Sequence, residues 1–208
     1  MIFSKQAKTY SLFSILCLAS ACALFDRTYT VSERTEKYMF APAWTDQRKA
    51  RRADSSAEAK KSLYFVSAAE NDGKRLCLKE AGKRAFLKAA DETADEILRL
   101  LKEEKKKNNK VHIPSNMKER LRANILVNLF ETKVAGEYWE KRLYMKEKGA
   151  EKDYSAYKCD VVVKVPKTVL AEAVKVCNEK ISLTMKHNTR LALEAVTASY
   201  AEGLDIEN

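Results

Sequence analysis

The residue types in this chain that could do chemistry are few: five cysteines, Cys17, Cys22, Cys77, Cys159 and Cys177, and two histidines, His112 and His187. Acyl transfer needs a nucleophile beside a base. No G-x-S-x-G elbow or S-x-x-K pair supplies one, and each histidine stands alone, one in a loop and one on a helix. Glu137 and Glu140 form a candidate carboxylate pair. On a strand, however, positions three apart point to opposite faces, which defeats joint acid and base work. The cysteines lack CxxC spacing, so no zinc pattern and no disulfide framework is evident. A Gly-rich phosphate loop, a dinucleotide fingerprint and an EF-hand are likewise missing. These observations predict a non-enzymatic protein with no cofactor and no metal.

Cys22 has the most distinctive setting. The chain opens MIFSKQAKTYSLFSILCLASAC, with Lys5 and Lys8 followed by a run from Thr9 to Phe25 that contains no Asp, Glu, Lys or Arg. Such a run is short for a transmembrane helix, which needs about 20 apolar residues, and suits the apolar core of a signal peptide plus its cleavage site. Its end, Leu18-Ala19-Ser20-Ala21-Cys22, resembles the lipobox of bacterial lipoproteins. That resemblance implies cleavage after Ala21, a diacylglyceryl group on the Cys22 sulfur and acylation of the new amino group. Palmitate is among the expected acyl groups. Ala19 stands where Leu is commonest in that motif, and Ala19-Ser20-Ala21 also satisfies the ordinary A-x-A cleavage pattern, so plain cleavage and an uncleaved anchor stay open. Two or more acyl chains hold a protein firmly to a membrane, where one binds only marginally. Ala23 follows the cysteine in place of the Asp associated with inner-membrane retention, which points to the outer membrane where the host has one.

Formal net charge is +10, and the chain stays basic without Lys5 and Lys8. Behind an export signal the available polyanions are phospholipid headgroups, lipopolysaccharide and cell-wall carboxylates. Nucleic acid is therefore not an expected partner, and most of the basic side chains read as a solvated surface. Cys77, Cys159 and Cys177 fall on apolar positions and read as small, buried, unpaired thiols.

These residues must be carried by a folded body. Residues 22–62 are polar and read as a tether from the lipidated cysteine, with Trp44 docking on the domain because so large a ring is costly to leave in water. Ser62 to Ala69 is β-prone and stops at the turn signal Asn71-Asp72-Gly73. Leu78, Ala81, Ala85, Ala89, Ile97 and Leu101 then recur at helical spacing. Asn116 with Glu119 resembles a capping box that opens a second helix. A strand over about 132–146, a turn at Gly149 and the alternating Tyr157, Cys159, Val161, Val163 and Val165 predict a hairpin. Pro166 starts a final helix that meets no breaker before Gly203.

The expected class is α+β: a small sheet of about three strands against two or three helices, with a long C-terminal helix. The expected organisation is a signal peptide over 1–21, a tether over 22–62, a mixed domain over 63–181 and a helical extension over 182–208. That extension would project outward for self-association or contact with envelope proteins.

The sequences APAW, GKRAFLKAADETADEIL, VAGEYW and YKCDVVVKVPKTVLAEAV, in this order between about residues 41 and 181, make the chain similar to small bacterial surface lipoproteins of the twenty-kilodalton, Lpp-twenty type. The resemblance implies a surface-associated lipoprotein and antigen of a kind with no established enzymatic activity. The stretch from Ser182 to Asn208 and the longer hairpin depart from that pattern.

Overall fold

The computed structural model describes residues 28–129 and 132–206. The export segment, including Cys17, Ala21 and Cys22, lies outside the described residues. The elements are β1 (Tyr29–Arg34), α1 (Gln47–Ala53), β2 (Ser62–Asn71), α2 (Lys74–Lys107), α3 (Met117–Asn128), β3 (Val134–Tyr144), β4 (Tyr154–Pro166), α4 (Lys167–Ser182) and α5 (His187–Ile206). The class is α+β.

The strands form one antiparallel sheet in the order β1-β3-β4-β2. The β3–β4 hairpin is closed through Gly149, whose φ of 90° is the left-handed conformation glycine adopts without strain. β4 alternates because it has two different environments. Cys159, Val161, Val163 and Val165 are fully buried beneath the helices, while Lys158, Asp160, Val162 and Lys164 lie on the opposite, outer face.

α2 spans both halves of the molecule. Its 34 residues give a rod of about 50 Å at 1.5 Å per residue. Ala81, Gly82, Ala85 and Ala89 let its first half lie closely on the sheet, and a Cβ at Gly82 would rest 3.9 Å from Val161. Its second half joins α3, α4 and α5, where Ile97, Leu101, Leu121, Ile125, Leu170, Ile181 and Leu193 share one core.

Three expectations are corrected. The sheet has four strands, since β1 pairs with β3 from Tyr29↔Tyr144 to Arg34↔Glu140. Much of the segment read as a tether is therefore part of the domain: residues 28–62 carry β1, α1 and two short 3-10 turns. Its charged residues obscure this strand, which has one free edge and exposes Ser32 and Glu33.

The final helix is not continuous. The chain turns at Leu183–Lys186, with Thr184 N–H donating to Ile181 O at 3.1 Å and Met185 N–H to Ser182 O at 3.0 Å. α5 then packs back on α4 and α2, burying Leu193 and Val196 in the core. Thr189 fixes its first turn by exchanging hydrogen bonds with the His112 backbone at 2.9 and 3.1 Å. Folding back buries apolar surface that an overhang would leave in water. The extension expected over 182–208 is thus a core element, with Leu183 and Leu191 still exposed. Asn116 does occupy the N-cap of α3, although its side chain makes no capping hydrogen bond.

Candidate binding cleft on the outer sheet face

The outer face of the sheet is covered at one end by the segment before β2. Trp44 lies over Gly136 of β3, where an added Cβ would stand 3.2 Å from the indole and 3.1 Å from Val162. Glycine leaves room for that approach, whereas a methyl group would force its neighbours to give by a few tenths of an ångström. Tyr38 meets Trp44 edge-on with ring centroids 6.4 Å apart, and Ala50 of α1 closes over Tyr64, Val66 and Val162.

α1 is clamped by its first residue. Gln47 accepts from Val66 N–H at 2.7 Å and donates to Tyr64 O, completing the free edge of β2 with a side chain. Lys88 and Arg84 of α2 also donate to that edge, at Val66 O and Ala68 O, both at 3.2 Å. Satisfying the edge in this way removes a template for strand addition. Asp46 caps α1 by accepting from Arg48 N–H at 2.9 Å.

Between α1 and the sheet opens a cleft of 440 Å³ lined by Tyr38, Trp44, Ala53, Asp54, Ser56, Tyr64, Ala135 and Lys164. Asp54 is its polar hub. Its Oδ2 accepts from Lys164 Nζ at 2.8 Å and from the Tyr64 hydroxyl, and its Oδ1 accepts from Ser56 N–H at 2.8 Å. Lys164 also reaches Ser56 Oγ at 3.1 Å. These donors, Lys164 foremost, hold the Asp54 carboxyl well below the usual carboxylate range. Burial, then the hydrogen bond to Asp54 and the charge on that carboxylate, push the Tyr64 phenol well above its ordinary value.

A second polar group lies further along the same face. Tyr138 donates to Glu140 at 3.0 Å, Glu140 pairs with Arg142 at 2.5 Å, and Lys158 pairs with Asp160 at 2.7 Å. Burial first and Glu140 second push the Tyr138 phenol up to about 12. Every buried charge here has a partner, which is the arrangement that lets a sheet face carry charges under cover.

Glu137 and Glu140 fall on opposite faces of β3: Glu137 on the helix side beside Lys74 and Leu78, Glu140 within the outer network. His112 and His187 are both exposed, and among the described residues neither is bonded to a carboxylate. No group of three or more His, Cys, Asp or Glu able to hold a metal occurs among the described residues. No described helix is long and apolar enough to cross a membrane.

The cysteines are not all unpaired. Cys77, in the first turn of α2, is disulfide-bonded to Cys159 at the centre of β4, with Cα atoms 5.8 Å apart and both residues fully buried. Cys177 is free and buried. A separation of 82 residues hides the partnership from any spacing rule, and only the packing of α2 on β4 brings the two together. Asp54 falls in the stretch whose polarity reads as a tether, and Lys164 alternates with the apolar residues of β4, so neither is marked as a site residue by its sequence neighbours. The signal available for both was Trp44, whose required docking surface had to lie nearby.

No protein-family model matches the chain, and no curated protein matches it.

Proposed function

We propose that this chain is a non-enzymatic cell-envelope lipoprotein, anchored through acylated Cys22 after cleavage at Ala21, with a structural, adhesive or antigenic role at a membrane surface. In a two-membrane host the expected site is the outer membrane. The observation that carries this reading is the buried Cys77–Cys159 bond in a chain that begins with an export-type segment ending in LASAC. Disulfides persist in oxidising compartments and are rare where thiols are kept reduced, so the two features independently favour the same side of the membrane. Replacing Cys22 by Ser and fractionating cells tests the reading. The variant should leave the membrane fraction or accumulate unprocessed, whereas a processed variant that sediments with membranes like the wild type would contradict it.

A second reading, a binding or accessory subunit that recognises a ligand or cell-wall component, is favoured by the aromatic cleft between α1 and the sheet. Retention of a soluble ligand by the purified protein, lost on changing Trp44, would support it over a purely structural role.

A further inference from the structure

We infer that the cleft between α1 and the outer sheet face binds an acidic saccharide, a sugar bearing a carboxylate. This rests on the second reading above and gives its ligand a chemical class. A volume of 440 Å³ falls in the range of about 300–1,000 Å³ usual for small-ligand sites, which combine apolar walls with a few fixed polar groups. Here the walls are the half-buried rings of Trp44 and Tyr38. Such flat rings suit the C–H face of a pyranose.

The polar groups offer donors. Among the described residues the Trp44 indole N–H and the Tyr38 hydroxyl have no hydrogen-bond partner, although both rings line the cleft. Lys164 spends two of its three ammonium donors on Asp54 and Ser56 and retains one. Asp54, the one acid in the lining, is already engaged by Lys164, Tyr64 and Ser56. A ligand therefore meets free donors and a committed acceptor.

Charge of the same sign lies next to the lining, since Arg51 and Arg52 immediately precede Ala53 and Asp54 of the cleft wall and the Arg51 charge acts on the Tyr64 hydroxyl. Arg51 and Arg52 of α1 are exposed, and neither is paired with a carboxylate among the described residues, whereas Arg48 and Lys49 both lean on Asp46. An anionic ligand is the complement to such a surface. The cleft also lies far from where the chain enters the domain. Thr28 sits beside the hairpin loop, its carbonyl accepting from Met145 N–H at 3.2 Å. Lys164 is some 30 Å away along β4, at about 3.3 Å per residue. A protein tethered just before Thr28 keeps this cleft clear of its anchor.

The test is a titration of the detergent-extracted full-length protein, followed by intrinsic tryptophan fluorescence. Trigalacturonate serves as the acidic probe, maltotriose as the neutral one and inorganic phosphate as a simple anion. The proposal expects a saturable change with trigalacturonate, affinity for maltotriose lower by about tenfold or more, and no competition by phosphate at the same concentration. Arg51→Gln with Arg52→Gln, two exposed positions that leave the Asp54 network intact, should weaken trigalacturonate binding while the fold is retained by circular dichroism. Trp44→Phe should remove most of the fluorescence change, because Trp139 lies on the other sheet face.

Absence of a saturable response to trigalacturonate overturns the proposal, as does unchanged binding in the double arginine variant. Equal binding of maltotriose removes the acidic preference and leaves the binding-subunit reading standing. Failure with all three probes leaves membrane anchoring through Cys22 untouched.

Discussion

Cys77 and Cys159 join the first turn of the longest helix to the central strand, across 82 residues of chain, at a point where neither side chain touches solvent. Ala69, Ala81 and Val161 pack around the bond. The crosslink therefore fixes the helix on the sheet at the end remote from the four-helix core.

Closing a long loop should make this bond a large contributor to stability. Replacing either Cys77 or Cys159 by Ser should cost about 2–5 kcal/mol, read as a lowered denaturation midpoint in urea. Burial pushes the Cys177 thiol up to about 12, so it should resist thiol reagents until the protein unfolds. Native labelling should find no reactive thiol among these three cysteines. Labelling of Cys77 or Cys159 in the unreduced protein would contradict the pairing.

The Asp54 hub should make stability depend on pH in a defined direction. Its folded carboxyl titrates below the ordinary value because Lys164, Tyr64 and Ser56 donate to it. A depressed carboxylate contributes stability that is fully present above its unfolded pKa of about 3.9 and is lost as pH falls toward the folded value. Asp54→Asn should therefore destabilise by about 1–3 kcal/mol at neutral pH. Its deficit relative to wild type should shrink below about pH 4. An equal deficit at pH 7 and pH 3 would show that the carboxylate charge contributes nothing.

Gly136 gives a local test of the cleft wall. A methyl there would meet Val162 at 3.1 Å and the Trp44 ring at 3.2 Å, tighter than ordinary packing. Gly136→Ala should cost about 1–3 kcal/mol and shift Trp44 emission toward the red as the ring is lifted off β3. Unchanged emission would place Trp44 elsewhere.

The returning C-terminal helix makes the opposite prediction from a projecting one. Leu193 is fully buried, so Leu193→Ala should cost about 2–5 kcal/mol. Truncation after Ser182 should expose the core formed by α2 and α4 and abolish cooperative unfolding. A truncated chain with a near-native melting temperature would restore the picture of a helical overhang.

These cases show where the sequence was legible. The Cys159 to Val165 alternation and the Ala81 to Ala89 stripe identify a strand with one apolar face and a helix that packs closely on it, but the alternation marks the other face as wet, whereas Asp160 and Val162 there are buried as well. The turn at Leu183–Lys186 has neither Gly nor Pro, so no local signal marks it, and only the packing of Leu193 and Val196 on the other helices demands it. β1, in YTVSER, is short and charged because it is an edge strand, and it owes its existence to pairing with β3. The cleft was least legible of all, since Asp54, Tyr64 and Lys164 belong to three elements that meet only in the folded chain.

The proposed anchor at Cys22 can be read out by metabolic labelling with radioactive palmitate. Wild-type protein should incorporate label that survives delipidating extraction and remains on the fragment beginning at Cys22, while Cys22→Ser should incorporate none. A wild-type protein that stays with membranes yet takes up no label would rule out acylated Cys22 as the anchor.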